Sequence, residues 1–171
     1  MQDGGGLVRY AAASMHLSEL FSKGDLVVGF DPADKWEAIR ALVDHVTSGG
    51  RLPTDAVDDI LDAVLSRERS MSTGMEKGVA IPHAAVDGIE SVIAVLGIVS
   101  RDGGLHFESI DGKPARFVVL LIIPRQQKLL HIRTLADVAR MLSRDEVREE
   151  LLAAKDSDLA FDVLTRRVGQ S

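Results

Sequence analysis

Arg67-Glu68-Arg69-Ser70-Met71-Ser72-Thr73-Gly74-Met75-Glu76-Lys77-Gly78-Val79-Ala80-Ile81-Pro82-His83 runs from a charged helix end, through a loop of small residues, into an apolar segment that stops on a proline and a histidine. Proline fixes its own φ and drives the residue before it, Ile81, toward extended backbone. Val79-Ala80-Ile81 is therefore expected to be a strand with His83 presented at its end. Ahead of it, Ser72, Thr73, Gly74 and Gly78 form a hydroxyl-bearing loop with backbone donors for an anion, and Arg67 adds a permanent charge. The expected ligand is a phosphoryl group, with His83 as the reacting residue.

Working outward, Asp34 followed three residues later by Glu37 reads as a variant capping box. Trp36, Ile39, Leu42, Val43 and Val46 then recur at helical spacing until Gly49-Gly50. Thr54 is expected to open a second helix with Val57, Ile60, Leu61, Val64 and Leu65 facing the core and Arg67 at its end. Ser91 to Ser100 and Phe117 to Ile123 are continuous apolar runs rich in β-branched residues, the second closed by Pro124, and both read as strands buried on two faces. Turns at 101–104 and 111–114 flank a short candidate strand at Leu105 to Phe107. In the last third, Ile132, Leu135, Val138, Ala139 and Leu142 share a helical face. Ser143 is expected to cap a further helix through Glu146, running to about Ala154, and a last helix extends from near Asp156 to Arg167. Apolar strands between groups of helices imply a single α/β domain, layered, with helices packed on both faces of a central sheet.

Composition narrows the function. The chain has 171 residues, 46% of them hydrophobic, enough for one well-filled core. A net charge of -6 and no basic stripe argue against nucleic-acid binding through phosphate contacts. No apolar run approaches the roughly 20 residues of a membrane helix, so no direct membrane insertion is expected. The absence of cysteine excludes disulfides and thiolate metal sites and suits a cytoplasmic setting. Residues 1–15 carry neither a basic start nor a long apolar segment and are expected to be a flexible extension, with the domain spanning 16–171. No Gly-x-x-x-x-Gly-Lys-[Ser/Thr] motif occurs, and no nucleotide, metal or other cofactor is called for.

The quoted stretch resembles the active-site motif of the enzyme IIA domains of the bacterial phosphotransferase system (PTS), type 2, the fructose, mannitol and nitrogen-regulatory class. The resemblance rests on Arg67-Glu68, Ser72-Thr73-Gly74 and Gly78-Val79-Ala80-Ile81-Pro82-His83, with a second mark in His131-Ile132-Arg133-Thr134-Leu135-Ala136. It runs from about Leu17 to the C-terminus and implies a mixed sheet. It also implies that His83 accepts a phosphoryl group from the histidine-containing phosphocarrier protein, with His131 and Arg67 supporting transfer and Ser72, Thr73 and Gly74 binding phosphate. The chain departs from many relatives, which carry Gly-x-Gly-Asn-Gly where this one has Gly74-Met75-Glu76-Lys77-Gly78.

Each residue has a plainer reading. His83 alone could be a hydrogen-bonded structural histidine, His131 a residue opening an exposed helix, Arg67 half of a surface ion pair, and Ser72 and Thr73 ordinary turn residues. The resemblance favours function for His83, His131 and Arg67. His16, His45 and His106 have no motif behind them, and a zinc site from His83, His131 and His106 lacks any close-spaced ligand pair. The expected activity is that of a phosphocarrier passing phosphate to the IIB component of a fructose- or mannitol-type transporter. The alternative is a nitrogen-related regulator whose phosphorylation state controls binding to target proteins without sugar transport. A third possibility, a degenerate binding module, conflicts with the intact His83, His131 and Arg67.

Overall fold

The structure, a computed structural model, describes residues 17–168; the extension expected over 1–15, and His16, lie outside the described residues. Five strands form one mixed sheet: β1 (Leu26–Phe30), β2 (Val79–Ala80), β3 (His83–Val86), β4 (Ile93–Val99) and β5 (Phe117–Pro124). Their order is β1-β4-β5-β2, with β3 also pairing β5. Only β4 and β5 are antiparallel; β1 runs parallel to β4, and β2 and β3 parallel to β5.

The sheet is covered on both faces, as the continuous apolar runs require. Along β5, Val118, Leu120 and Ile122 enter one core cluster, and Phe117, Val119, Leu121 and Ile123 enter the other. The first cluster is closed by α2 (Lys35–Ser48) and α3 (Val57–Ser70); the second draws on α1 (Leu17–Leu20), α4 (Lys128–Leu142), α5 (Asp145–Ala153) and α6 (Ser157–Val168). A 3-10 turn, Lys23–Asp25, leads into β1. At Gly29, φ +73° and a register shift form a bulge that turns Phe30 onto the first face. There the Phe30 ring lies over Gly97, where any Cβ would stand 2.5 Å from a ring carbon.

Several expected boundaries move. Asp34 caps α2 as read, accepting Glu37 N–H at 2.8 Å. Thr54 does not open α3, which begins at Val57 after a turn closed by Ala56 N–H onto Pro53 O. Leu105 to Phe107 forms no strand, only a single bridge from Leu105 to Ala115. Ser143 closes α4, and Arg144 takes the N-cap of α5. The expected strand ending at His83 is instead broken at Ile81-Pro82, and His83 begins β3. Proline has no N–H for the ladder, so the edge strand is interrupted there while Pro82 O still accepts from Leu121 N–H at 3.0 Å. β1 and α1 were not foreseen, because five residues containing Gly29 carry too little pattern to separate a strand from a turn.

Candidate active site

After the break at Ile81-Pro82, His83 begins β3 and pairs with Leu121 of β5. The His83 ring is half-buried, and its Nδ1 lies 2.8 Å from Ile81 O. A carbonyl can only accept, so Nδ1 carries the proton and Nε2 keeps its lone pair. Burial pushes the His83 pKa below its usual value of 6.5, and Arg67 and His131 push in the same direction against the Ile81 hydrogen bond. The group is held as a neutral imidazole, the nucleophilic form.

His131 comes from α4. Its ring meets that of His83 edge-on, with centroids 5.3 Å apart and planes at 78°. Its pKa is also lowered, by burial first and then by Arg67. His131 does not open the helix, as its plainer reading would have it: α4 begins at Lys128, and His131 N–H already donates to Gln127 O at 3.0 Å. The side chain, rather than a free helix-end amide, is what this residue brings to the site.

The last turn of α3 delivers two charged side chains about 100° apart around the helix axis. Arg67 lines the cleft and donates through Nη1 to Met71 O at 2.7 Å. Glu68 goes inward and is 2% exposed. It accepts Thr73 N–H at 3.1 Å and Thr73 Oγ1–H at 2.5 Å, and it pairs with Lys35 Nζ at 3.2 Å. Lys35 in turn sits 4.9 Å from the Trp36 ring centre and 5.7 Å from that of Phe107, both favourable cation–π distances.

Ser72, Thr73 and Gly74 line the same cleft of about 310 Å³. The donors of Thr73 are turned away from it, onto Glu68. Gly74 N–H donates to Ser72 Oγ at 3.2 Å, and among the described residues the Ser72 hydroxyl proton is directed to no acceptor. The loop then pairs back on the next segment, with Met75 N–H on Val79 O and Ile81 N–H on Thr73 O. Lys77 (φ 62°) and Gly78 (φ 76°) supply the consecutive positive φ angles of a type I′ hairpin turn. Lys77 spends its amide on Asp111 and its ammonium on Ser143 O at 3.1 Å. Its charge is therefore tied to the end of α4, and Glu76 stays exposed.

The structure thus brings His83, His131, Arg67 and the Ser72-Thr73-Gly74 loop together. His106 is exposed, and His45 Nε2 lies 2.5 Å from Gly24 O, remote in sequence from the cleft residues. Sequence reasoning missed Glu68 and Lys35 as members of the site. The signal for Glu68 was present, since Ile60, Val64 and Glu68 lie four apart on the buried stripe of α3. Nothing local marks Lys35, whose partner is 33 residues away.

Residues 19–167 match the family described as phosphoenolpyruvate-dependent sugar phosphotransferase system, EIIA 2. A Haloferax volcanii protein named as a PTS system fructose-specific EIIA component is 34% identical over 137 residues, covering 80% of this chain and 86% of the relative. A Pseudomonas aeruginosa nitrogen regulatory protein is 25% identical over 150 residues, covering 88% and 95%. Among solved structures, nitrogen regulatory protein IIA-Ntr from Neisseria meningitidis superposes with a TM-score of 0.76 at 22% identity, over 86% of this chain and 98% of that one. Enzyme IIA for mannitol from Escherichia coli, solved in complex with phosphorylated enzyme IIB for mannitol, gives 0.71 at 22% identity, over 86% and 98%. These last two share its fold.

Proposed function

The chain belongs to the EIIA type-2 family of the phosphoenolpyruvate-dependent sugar phosphotransferase system, and from that premise we propose that it is a phosphocarrier whose phosphohistidine forms at His83 Nε2. The observation that carries this reading is the Nδ1–H···O=C contact to Ile81, which leaves Nε2 as the nucleophilic nitrogen. The Nε2 lone pair attacks the phosphorus held by the phosphocarrier protein's histidine. The P–N bond to the donor ring breaks, and its electron pair returns to that ring. Positive charge develops on the His83 imidazole and is stabilised by the Ile81 carbonyl facing Nδ1–H. Arg67 and the Ser72 hydroxyl meet the equatorial oxygens, and the His131 ring lies edge-on to the attacking ring. In onward transfer a nucleophile of a IIB component attacks the phosphorus, the Nε2–P bond breaks, and its electron pair returns to the His83 ring, which is left neutral with Nδ1 still protonated.

The fructose-specific relative supports transfer to a IIB partner in sugar uptake. The nitrogen regulatory relative, matched over 88% of the chain, supports a second reading in which the phosphorylation state of His83 governs association with other proteins. Two exposed apolar residues adjacent in sequence to site residues, Met71 at 69% beside Ser72 and Ile132 at 66% beside His131, suit protein contact in either role. The test is to incubate the protein with phosphoenolpyruvate, enzyme I and the phosphocarrier protein, quench at alkaline pH and measure intact mass. One added phosphoryl group is expected; none with a competent donor overturns the reading. Adding a fructose-type IIB component separates the two roles: rapid loss of the added mass supports transport, and retention supports regulation.

A further inference from the structure

We infer that Glu68, neutralised by Lys35, is a positioning residue for phosphoryl transfer, holding residues 71–74 so that Arg67 and the Ser72 hydroxyl face the cleft. The inference rests on the phosphocarrier reading of the same cleft. A carboxylate with its side chain fully buried is costly unless it is paired and hydrogen-bonded, and Glu68 is both. Its oxygens take the amide and the hydroxyl of Thr73 together. That removes Thr73 as a phosphate contact and makes it the anchor of the loop.

The consequence reaches Arg67 from both directions. Along the chain, Arg67 and Glu68 are neighbours on the last turn of α3, so fixing one fixes the backbone that carries the other. Through space, the Arg67 guanidinium is braced by Met71 O, two residues before the Thr73 that Glu68 holds. A closed loop of contacts, Glu68 to Thr73, back to Met71 and on to Arg67, therefore sets where the guanidinium sits. On the far side of the loop, Ile81 N–H donates to Thr73 O, and Ile81 O is the acceptor for His83 Nδ1–H. Glu68 thus sits behind both the charge that receives the phosphoryl oxygens and the carbonyl that sets the histidine tautomer. Lys35, from α2, keeps this interior charge compensated while most of its own side chain is buried. The charged and titratable groups bearing on His83 are Arg67 and Glu68 from α3 and His131 from α4; Arg67 and His131 lower its pKa, and Glu68 raises it.

The test compares wild type with Glu68→Gln, which keeps the size and an acceptor for Thr73 but removes the charge. The rate of phosphoryl acceptance is measured against phosphocarrier concentration, and the His83 ring is titrated by NMR. In Glu68→Gln the rate at saturating donor is expected to fall about 10- to 100-fold, as for small misplacements of catalytic groups, with half-saturation by the donor unchanged. The His83 pKa is expected to fall further, since a charge favouring imidazolium is gone. If Glu68→Gln does not fold, Lys35→Met/Glu68→Gln, which removes both charges, is measured instead, with the same loss expected. A folded variant with the wild-type rate overturns the inference. Wild type that takes no phosphate from a competent donor overturns the phosphocarrier reading itself, and this inference with it.

Discussion

At the scale of the residue, the site is a pair of imidazoles kept neutral by burial beside an arginine. Both His83 and His131 have pKa values below 6.5, with desolvation the largest cause for each. Phosphoryl acceptance is therefore expected to persist somewhat below pH 6.5, where an ordinary histidine is mostly protonated, and to fall only as His83 itself takes up a proton; a pH–rate profile breaking at or above 6.5 would contradict this. The same shifts act on stability. Below pH 6.5 the unfolded chain binds protons that the folded histidines resist, so stability falls as pH drops from 6.5 through their lowered values. Chemical denaturation at pH 5.5 and 7.5 checks the sign, with the lower pH expected to be the less stable. For His131, contact with the His83 ring makes its removal a rate effect. His131→Ala is expected to slow phosphorylation about 10- to 100-fold, the size of one positioned catalytic group, with His83 still the labelled site. An unchanged rate would take His131 out of the mechanism.

At the scale of the element, the loop and hairpin from Arg67 to His83 were legible in part. Pro82 was read as closing a strand with His83 at its end, whereas the strand breaks at Ile81-Pro82 and His83 opens β3. What the local pattern concealed was long-range. β3 after the proline is defined by pairing with β5, from His83 on Leu121 to Val86 on Pro124, and no local signal encodes that. The capping motif at Asp34 was read correctly because its contact spans three residues; the Ser143 motif failed because the same Ser-x-x-Glu spacing straddles two helices, and the Ser143 hydroxyl bonds back to Arg140 O. In the loop, Gly74 is required by packing, since a Cβ there would stand 2.4 Å from Glu108 O and 3.1 Å from Phe107 Cβ. Gly74→Ala is expected to cost about 1–3 kcal/mol, as for overpacked sites, and to slow phosphorylation, measured by denaturant midpoint and by labelling rate. A neutral effect on both would show that the loop yields to a methyl group.

At the scale of the whole molecule, the layered α/β class was legible because β4 and β5 are long, continuous and apolar, and such strands need cover on both faces. The interior ion pair was not, because charged residues read as surface until the fold joins Lys35 of α2 to Glu68 of α3. Among the described residues no buried side-chain nitrogen or oxygen lacks a partner, so the pair is part of a satisfied interior. Breaking it from one side strands a buried carboxylate: Lys35→Met is expected to lose about 3–5 kcal/mol, read by urea denaturation, while Lys35→Met/Glu68→Gln recovers much of that loss. Equal losses in the single and double variants would contradict the stranded-charge account. The central claim concerns one nitrogen of one residue, and the most direct measurement is ¹⁵N NMR of the ring nitrogens in the phosphorylated protein, with His83→Ala as control. Phosphorus is expected on Nε2 of His83, with Nδ1 still protonated toward Ile81 O and no label in His83→Ala; phosphorus on Nδ1, or undiminished labelling of the variant, would contradict the account.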